Sequence, residues 1–173
     1  MTPVNCLAVL KILIEKSCFD KKKSTVETNK ALVLSSIQQI TGTSTRAIVG
    51  SSGLSIQYAI LMGLIHHAQE NHKGKTIKLV VPTNCYGGTN DQARRVAVCL
   101  SNVEVMDLPV DDGKDMVQSI DVVLNNIAKE DAIPYIIAEI PTNPRVEVTD
   151  LIKLKNVLSA TRETATGETA INP

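Results

Sequence analysis

The chain has 173 residues, enough for one domain with a sizeable core. Lys+Arg and Asp+Glu are both 18, so the formal net charge is zero, which argues against a nucleic-acid or membrane-surface footprint. Aromatic residues are only 2% and Trp is absent, so the core has to be aliphatic, as in parallel strands covered by helices.

Thr2-Pro3 suits a helix start, and Leu7, Leu10, Leu13 and Ile14 follow at helical spacing. Lys11 interrupts this apolar stretch and no small-residue cleavage site follows, so it reads as neither a signal peptide nor a membrane span. Lys21-Lys22-Lys23 reads as a solvated loop. A second helix is predicted over about 26–41, with Leu34, Ile37 and Ile40 on one side and Gly42 as its stop. Ala47-Ile48-Val49 then reads as a short strand, followed by Gly50-Ser51-Ser52-Gly53 and a helix carrying Leu54, Tyr58, Leu61, Met62 and Ile65.

Gly74 closes that helix, and residues 76–81 form the next predicted strand. A helix over 91–100 and a strand over 103–106 follow, then a turn at Asp111-Asp112-Gly113-Lys114. Residues 116–128 read as a helix with Met116, Ile120, Val123, Leu124 and Ile127 on one stripe. Residues 135–140 read as a strand, and Thr149-Asp150 starts a helix through Leu158. Residues 161–173 are a polar end, without periodicity from Thr164 onward. The strand–helix alternation predicts an α/β fold, a mainly parallel sheet flanked by helices and built from Ala47 to Ile140. Residues 1–45 would be a helical segment before it, and 46–160 the α/β domain.

The cysteines are Cys6, Cys18, Cys85 and Cys99, with no CxxC spacing, so reduced thiols and a cytoplasmic location are expected. His66, His67 and His72 do not complete a zinc pattern, so no metal site is expected.

Three clusters carry the candidate chemistry, each read as following a strand, where ligands gather in open α/β sheets. At Ser51-Ser52-Gly53-Leu54 a helix begins, and its first N–H groups suit a phosphate; a plain serine-capped start is the other reading. At Cys85-Tyr86-Gly87-Gly88-Thr89 the glycines free the backbone, so Tyr86 can offer its ring face to a planar ligand. The alternative is a loop with Thr89 capping the next helix. At Glu139-Ile140-Pro141-Thr142-Asn143-Pro144 the prolines hold an extended segment, from which Asn143 offers donor and acceptors; a simple turn is the other reading.

In this order, Ser-Gly-Leu at 52–54, Tyr-Gly-Gly-Thr at 86–89 and Glu-x-Pro-Thr-Asn-Pro at 139–144 resemble the Cys/Met-metabolism family of pyridoxal-phosphate enzymes. That family includes cystathionine synthases and lyases, methionine lyases and homoserine sulfhydrylases. The resemblance implies the large domain of the aspartate-aminotransferase fold and covers about 31–158. It implies pyridoxal 5'-phosphate as cofactor and a sulfur amino acid as substrate, with elimination or replacement at the β or γ carbon. It also implies a homo-oligomer. By it, Ser52, Gly53 and Leu54 form the phosphate site, with the amides of Gly53 and Leu54 as donors. Tyr86 stacks on the pyridine ring, Asn143 lies near the phenolic oxygen, and Glu139 supports that region.

The family's Schiff-base lysine, pyridine-pairing Asp and Tyr-x-Arg motif have no counterpart in these 173 residues. No catalytic residue is therefore assigned, and the chain by itself is expected to be inactive. The alternative reading is a non-catalytic fragment or truncated product that folds and self-associates without chemistry.

Overall fold

The structure is a computed structural model that describes residues 10, 13–14, 25–110, 115–142 and 146–173. The first predicted helix falls mostly outside the described residues, and the turn at 111–114 and Asn143 fall wholly outside them. The chain divides into two compact units, Met1–Val49 and Gly50–Pro173.

In the first unit, helix α1 (Val26–Thr41) starts where the Thr25 side chain accepts the Thr28 N–H at 3.2 Å. It ends at Gly42, whose φ of 65° is the left-handed conformation that suits glycine. Leu34 and Ile37 are half-buried, but Ile40 is 84% exposed, so the expected apolar side is only partly covered. Ala47–Val49 is not a strand. Ile48 is 73% exposed and no neighbouring strand pairs with it, so the local β tendency goes unused.

The second unit runs α2 (Gly53–Asn71), β1 (Ile77–Pro82), α3 (Gly87–Val98), β2 (Val103–Leu108), α4 (Met116–Lys129), β3 (Ile133–Ile136) and α5 (Leu151–Ser159). The three strands form a parallel sheet in the order β2-β1-β3. Strand β1 is central, and all six of its residues are buried. Its side chains alternate between two cores. Ile77, Leu79 and Val81 pack with Leu61, Ile65 and Ala68 of α2 and with Ala93 and Val96 of α3. Val80 packs on the other face with Leu108 and with Ile120, Leu124 and Ile127 of α4, flanked by Leu154, Val157 and Leu158. The predicted stripe of α4 is therefore its buried face.

Two expectations about length are corrected. Helix α3 begins at Gly87 rather than Asp91. Strand β3 is Ile133–Ile136 rather than 135–140, because the chain leaves β1 after the Ile137 N–H bonds the Val80 carbonyl at 2.9 Å. The Ile133 N–H bonds the Thr76 carbonyl at 2.8 Å, so alternation turns positions 134 and 136 to the open edge. Position 134 is a proline, which an edge strand tolerates.

At the N-terminal end of the sheet, the buried Lys78 ammonium meets Glu104 at 2.7 Å and Glu130 at 2.8 Å. Burial pulls its pKa down, but the hydrogen bonds and charges of the two glutamates outweigh this and leave it above the ordinary lysine value. Lys75 pairs with Asp131 at 2.6 Å.

Residues 160–173 are held within the second unit by side-chain and backbone bonds. Arg162 is 7% exposed and bonds Asp121 at 2.6 Å and the carbonyls of Val157 and Ala160 at 3.0 and 3.1 Å. A bridge between Glu163 and Thr169 turns at Gly167, where φ is 83°. Among the described residues, no helix is long and apolar enough to cross a membrane.

Candidate functional site

Gly53, Leu54, Tyr86 and Glu139 line one cleft of about 240 Å³ at the C-terminal edge of the sheet, together with Gln57 and Thr89. Three stretches of chain place them. The start of α2 brings Gly53 and Leu54, the turn after β1 brings Tyr86, and the segment leaving β3 brings Glu139. The first cluster does not follow a strand, since Ala47–Val49 is irregular; it reaches the cleft because α2 starts there.

Ser52 caps α2. Its hydroxyl oxygen accepts the Ser55 N–H at 3.1 Å, and the Ser55 hydroxyl oxygen accepts the Ser52 N–H at 2.9 Å. This reciprocal pair leaves the Gly53 and Leu54 N–H groups of the first turn, neither of which meets an acceptor among the described residues. A Cβ built on Gly53 would meet nothing within 4 Å, so the glycine faces open space. Ser52 thus serves the helix backbone, and the two amides after it remain for an anion.

Tyr86 is the N-cap of α3 but makes no side-chain cap bond. Its ring lies over Gly88, where a Cβ would come within 2.5 Å of the ring's Cε1. Tyr86 lines the same cleft as Leu54 and is 50% exposed. The missing Cβ of Gly88 leaves room for the ring beside the helix start.

Glu139 holds the second and third clusters together. One carboxylate oxygen accepts the Tyr86 N–H at 3.2 Å and the other accepts the Thr89 hydroxyl at 2.7 Å. A carboxylate at this position complements the positive end of α3. Thr89 is therefore not the cap of the next helix. It lies inside α3, is 2% exposed, and donates to Glu139. Gln92 ties α3 to α2 by donating to the Leu54 carbonyl at 2.9 Å.

Asn143 lies outside the described residues; Thr142 and Glu147 are bonded to each other, and Glu147 to Asn84. The Thr142 N–H bonds the Glu147 carbonyl at 2.9 Å, the Glu147 N–H bonds the Thr142 hydroxyl at 2.9 Å, and Asn84 donates to the Glu147 carboxylate at 3.0 Å. Burial pushes the Cys85 thiol above its ordinary pKa, and the Glu139 charge adds to this, so the thiol stays protonated at neutral pH. Among the described residues, no group of three His, Cys, Asp or Glu is placed to hold a metal.

Gln57 is the lining residue that the sequence reading missed. Its signal is spacing: it stands four residues after Gly53, on the same face of one helix.

Comparison with family models, curated proteins and solved structures gives no match to this chain. Fold and cleft define an α/β domain with a small opening at the carboxyl ends of parallel strands. The cleft offers two backbone donors for an anion, an aromatic residue and one carboxylate.

Proposed function

We propose that this chain is the cofactor-binding part of a pyridoxal-phosphate-dependent enzyme of sulfur amino-acid metabolism, with the large-domain architecture of the aspartate-aminotransferase fold. The observation that carries this reading is the Glu139 clamp, which draws Tyr86 and Thr89 toward the Gly53-Leu54 turn. Three motifs far apart in the chain thereby face one cleft. The amides of Gly53 and Leu54 bind the phosphate, and the open space at Gly53 permits its close approach. The Tyr86 ring supports the pyridine, and Glu139 fixes the backbone from which that ring projects. When bound, the group supplies an electron sink for carbon acids.

Ligand binding without turnover is a second reading, favoured by where the lysines stand. Lys75 and Lys78 are paired with acids at the opposite end of the sheet, and Lys153 is an exposed residue of α5. Among the described residues, no lysine lines the cleft. The test is titration with pyridoxal phosphate, followed by absorbance and by competition with inorganic phosphate. Gly53→Val should fold, since its Cβ has room, and should bind the cofactor at least tenfold more weakly. Equal binding by the folded variant would reject this placement. Reduction with borohydride and peptide mapping should find weak labelling over surface lysines; near-complete labelling of one lysine, with turnover of cystathionine or methionine, would reject the second reading.

A further inference from the structure

Glu139 borders two cavities. The cleft of about 240 Å³ is one; the other, of about 350 Å³, shares Gln57, Thr89 and Glu139 with it and is otherwise walled by apolar groups, chiefly Ile56, Ile60, Leu64 and Ile136. Among the described residues, Glu139 is the one charged side chain in either lining. A carboxylate has about four acceptor sites. The Tyr86 N–H and the Thr89 hydroxyl use two of them. Among the described residues the carboxylate therefore keeps acceptor capacity to spare, next to an apolar chamber.

We propose that the paired cavities bind an amphipathic primary amine, its ammonium on Glu139 and its unbranched alkyl chain along Ile56, Ile60 and Leu64. Charge complementarity selects the head group, because an alkyl carboxylate placed on Glu139 would be repelled. The aliphatic wall selects the tail, because each methylene it covers leaves water. This rests on the reading above that the cleft is the ligand site, and it names the class of compound that occupies the annexed chamber.

The experiment is a homologous series from propylamine to hexylamine, titrated into the full chain at pH 7 by calorimetry. Each added methylene should tighten binding about fourfold, the equivalent of about 0.8 kcal/mol per buried CH₂. The three added methylenes should give about 60-fold. Hexanoate should bind at least tenfold more weakly than hexylamine. Glu139→Gln should abolish the preference for the amine. Ile60→Asn, at a position 56% exposed and therefore tolerant, should flatten the length dependence. The proposal falls if affinity does not change with chain length, if hexanoate binds as well as hexylamine, or if folded Glu139→Gln binds unchanged. If Glu139→Gln does not fold, an unaltered length dependence in Ile60→Asn overturns it. Pyridoxal phosphate is titrated in separate samples. A chain that takes hexylamine but not pyridoxal phosphate removes the proposed cofactor and keeps this inference. The reverse result removes this inference alone.

Discussion

Replacing Gly88 with alanine separates the site from the fold. Gly88 has a negative φ and lies within the first turn of α3, so its backbone accepts a Cβ without strain. Helix propensity then favours alanine by up to about 1 kcal/mol, less so in a first turn. The new methyl, however, would sit 2.5 Å from the Tyr86 ring and 3.3 Å from a Leu54 methyl. Carbon atoms rest at about 3.5–4.0 Å, so the ring has to retreat by at least about 1 Å. It is half exposed and free to do so. Stability should hold or rise, with a melting temperature unchanged or up by about 2–4 °C for a full 1 kcal/mol. Ligand stacking should weaken, because an aromatic pairing is worth about 0.5–1.5 kcal/mol, or about 2- to 13-fold in affinity. The chain has three tyrosines and no tryptophan, so ring resonances of a tyrosine-labelled sample report on Tyr86 with little overlap. Unmoved Tyr86 signals, or a melting temperature lower by several degrees, would refute this account of Gly88.

Thr89→Val keeps the shape of a buried residue and removes its bond to Glu139, so urea unfolding should register a loss of about 1–2 kcal/mol that Thr89→Ser restores. Lys78 has a raised pKa, so the folded state favours its ammonium. Its contribution is fully present below the unfolded lysine value and is lost as pH rises through the higher folded value. Melts from pH 9 to 12 should show this loss, and Lys78→Met should flatten it. Arg162→Ala removes a buried cation that holds Asp121 and two carbonyls; it should cost about 2–4 kcal/mol and let a protease clip residues 160–173 well before the rest.

Elements with local causes were legible in the sequence. The aliphatic run of β1 announced a strand covered on both faces, and the stripe from Met116 to Ile127 announced the buried side of α4. The failures have non-local causes. Ala47–Val49 has strand-forming residues but no partner strand, and a strand exists only as part of a ladder. The start of α3 was hidden because Gly87 and Gly88 are poor helix formers, and the acceptor for the Tyr86 N–H is Glu139, 53 residues later. The same bond accompanies the early stop of β3: the segment carrying Glu139 leaves the sheet for the start of α3. The cleft follows a similar division. Gly53, Leu54 and Tyr86 stood out as a capped turn and a glycine-flanked ring, whereas Gln57 and the inward-facing Thr89 depend on how two helices meet.

The proline in β3 has a consequence for how the protein behaves in crowded solution. An open sheet edge recruits foreign strands by its row of unused N–H donors. On this edge the outward positions of β3 are 134 and 136, and Pro134 has no hydrogen to give. Of the two outward positions in that short strand, only Ile136 can donate, which is too little to template an added strand. The edge thus resists indiscriminate growth through the chemistry of one ring.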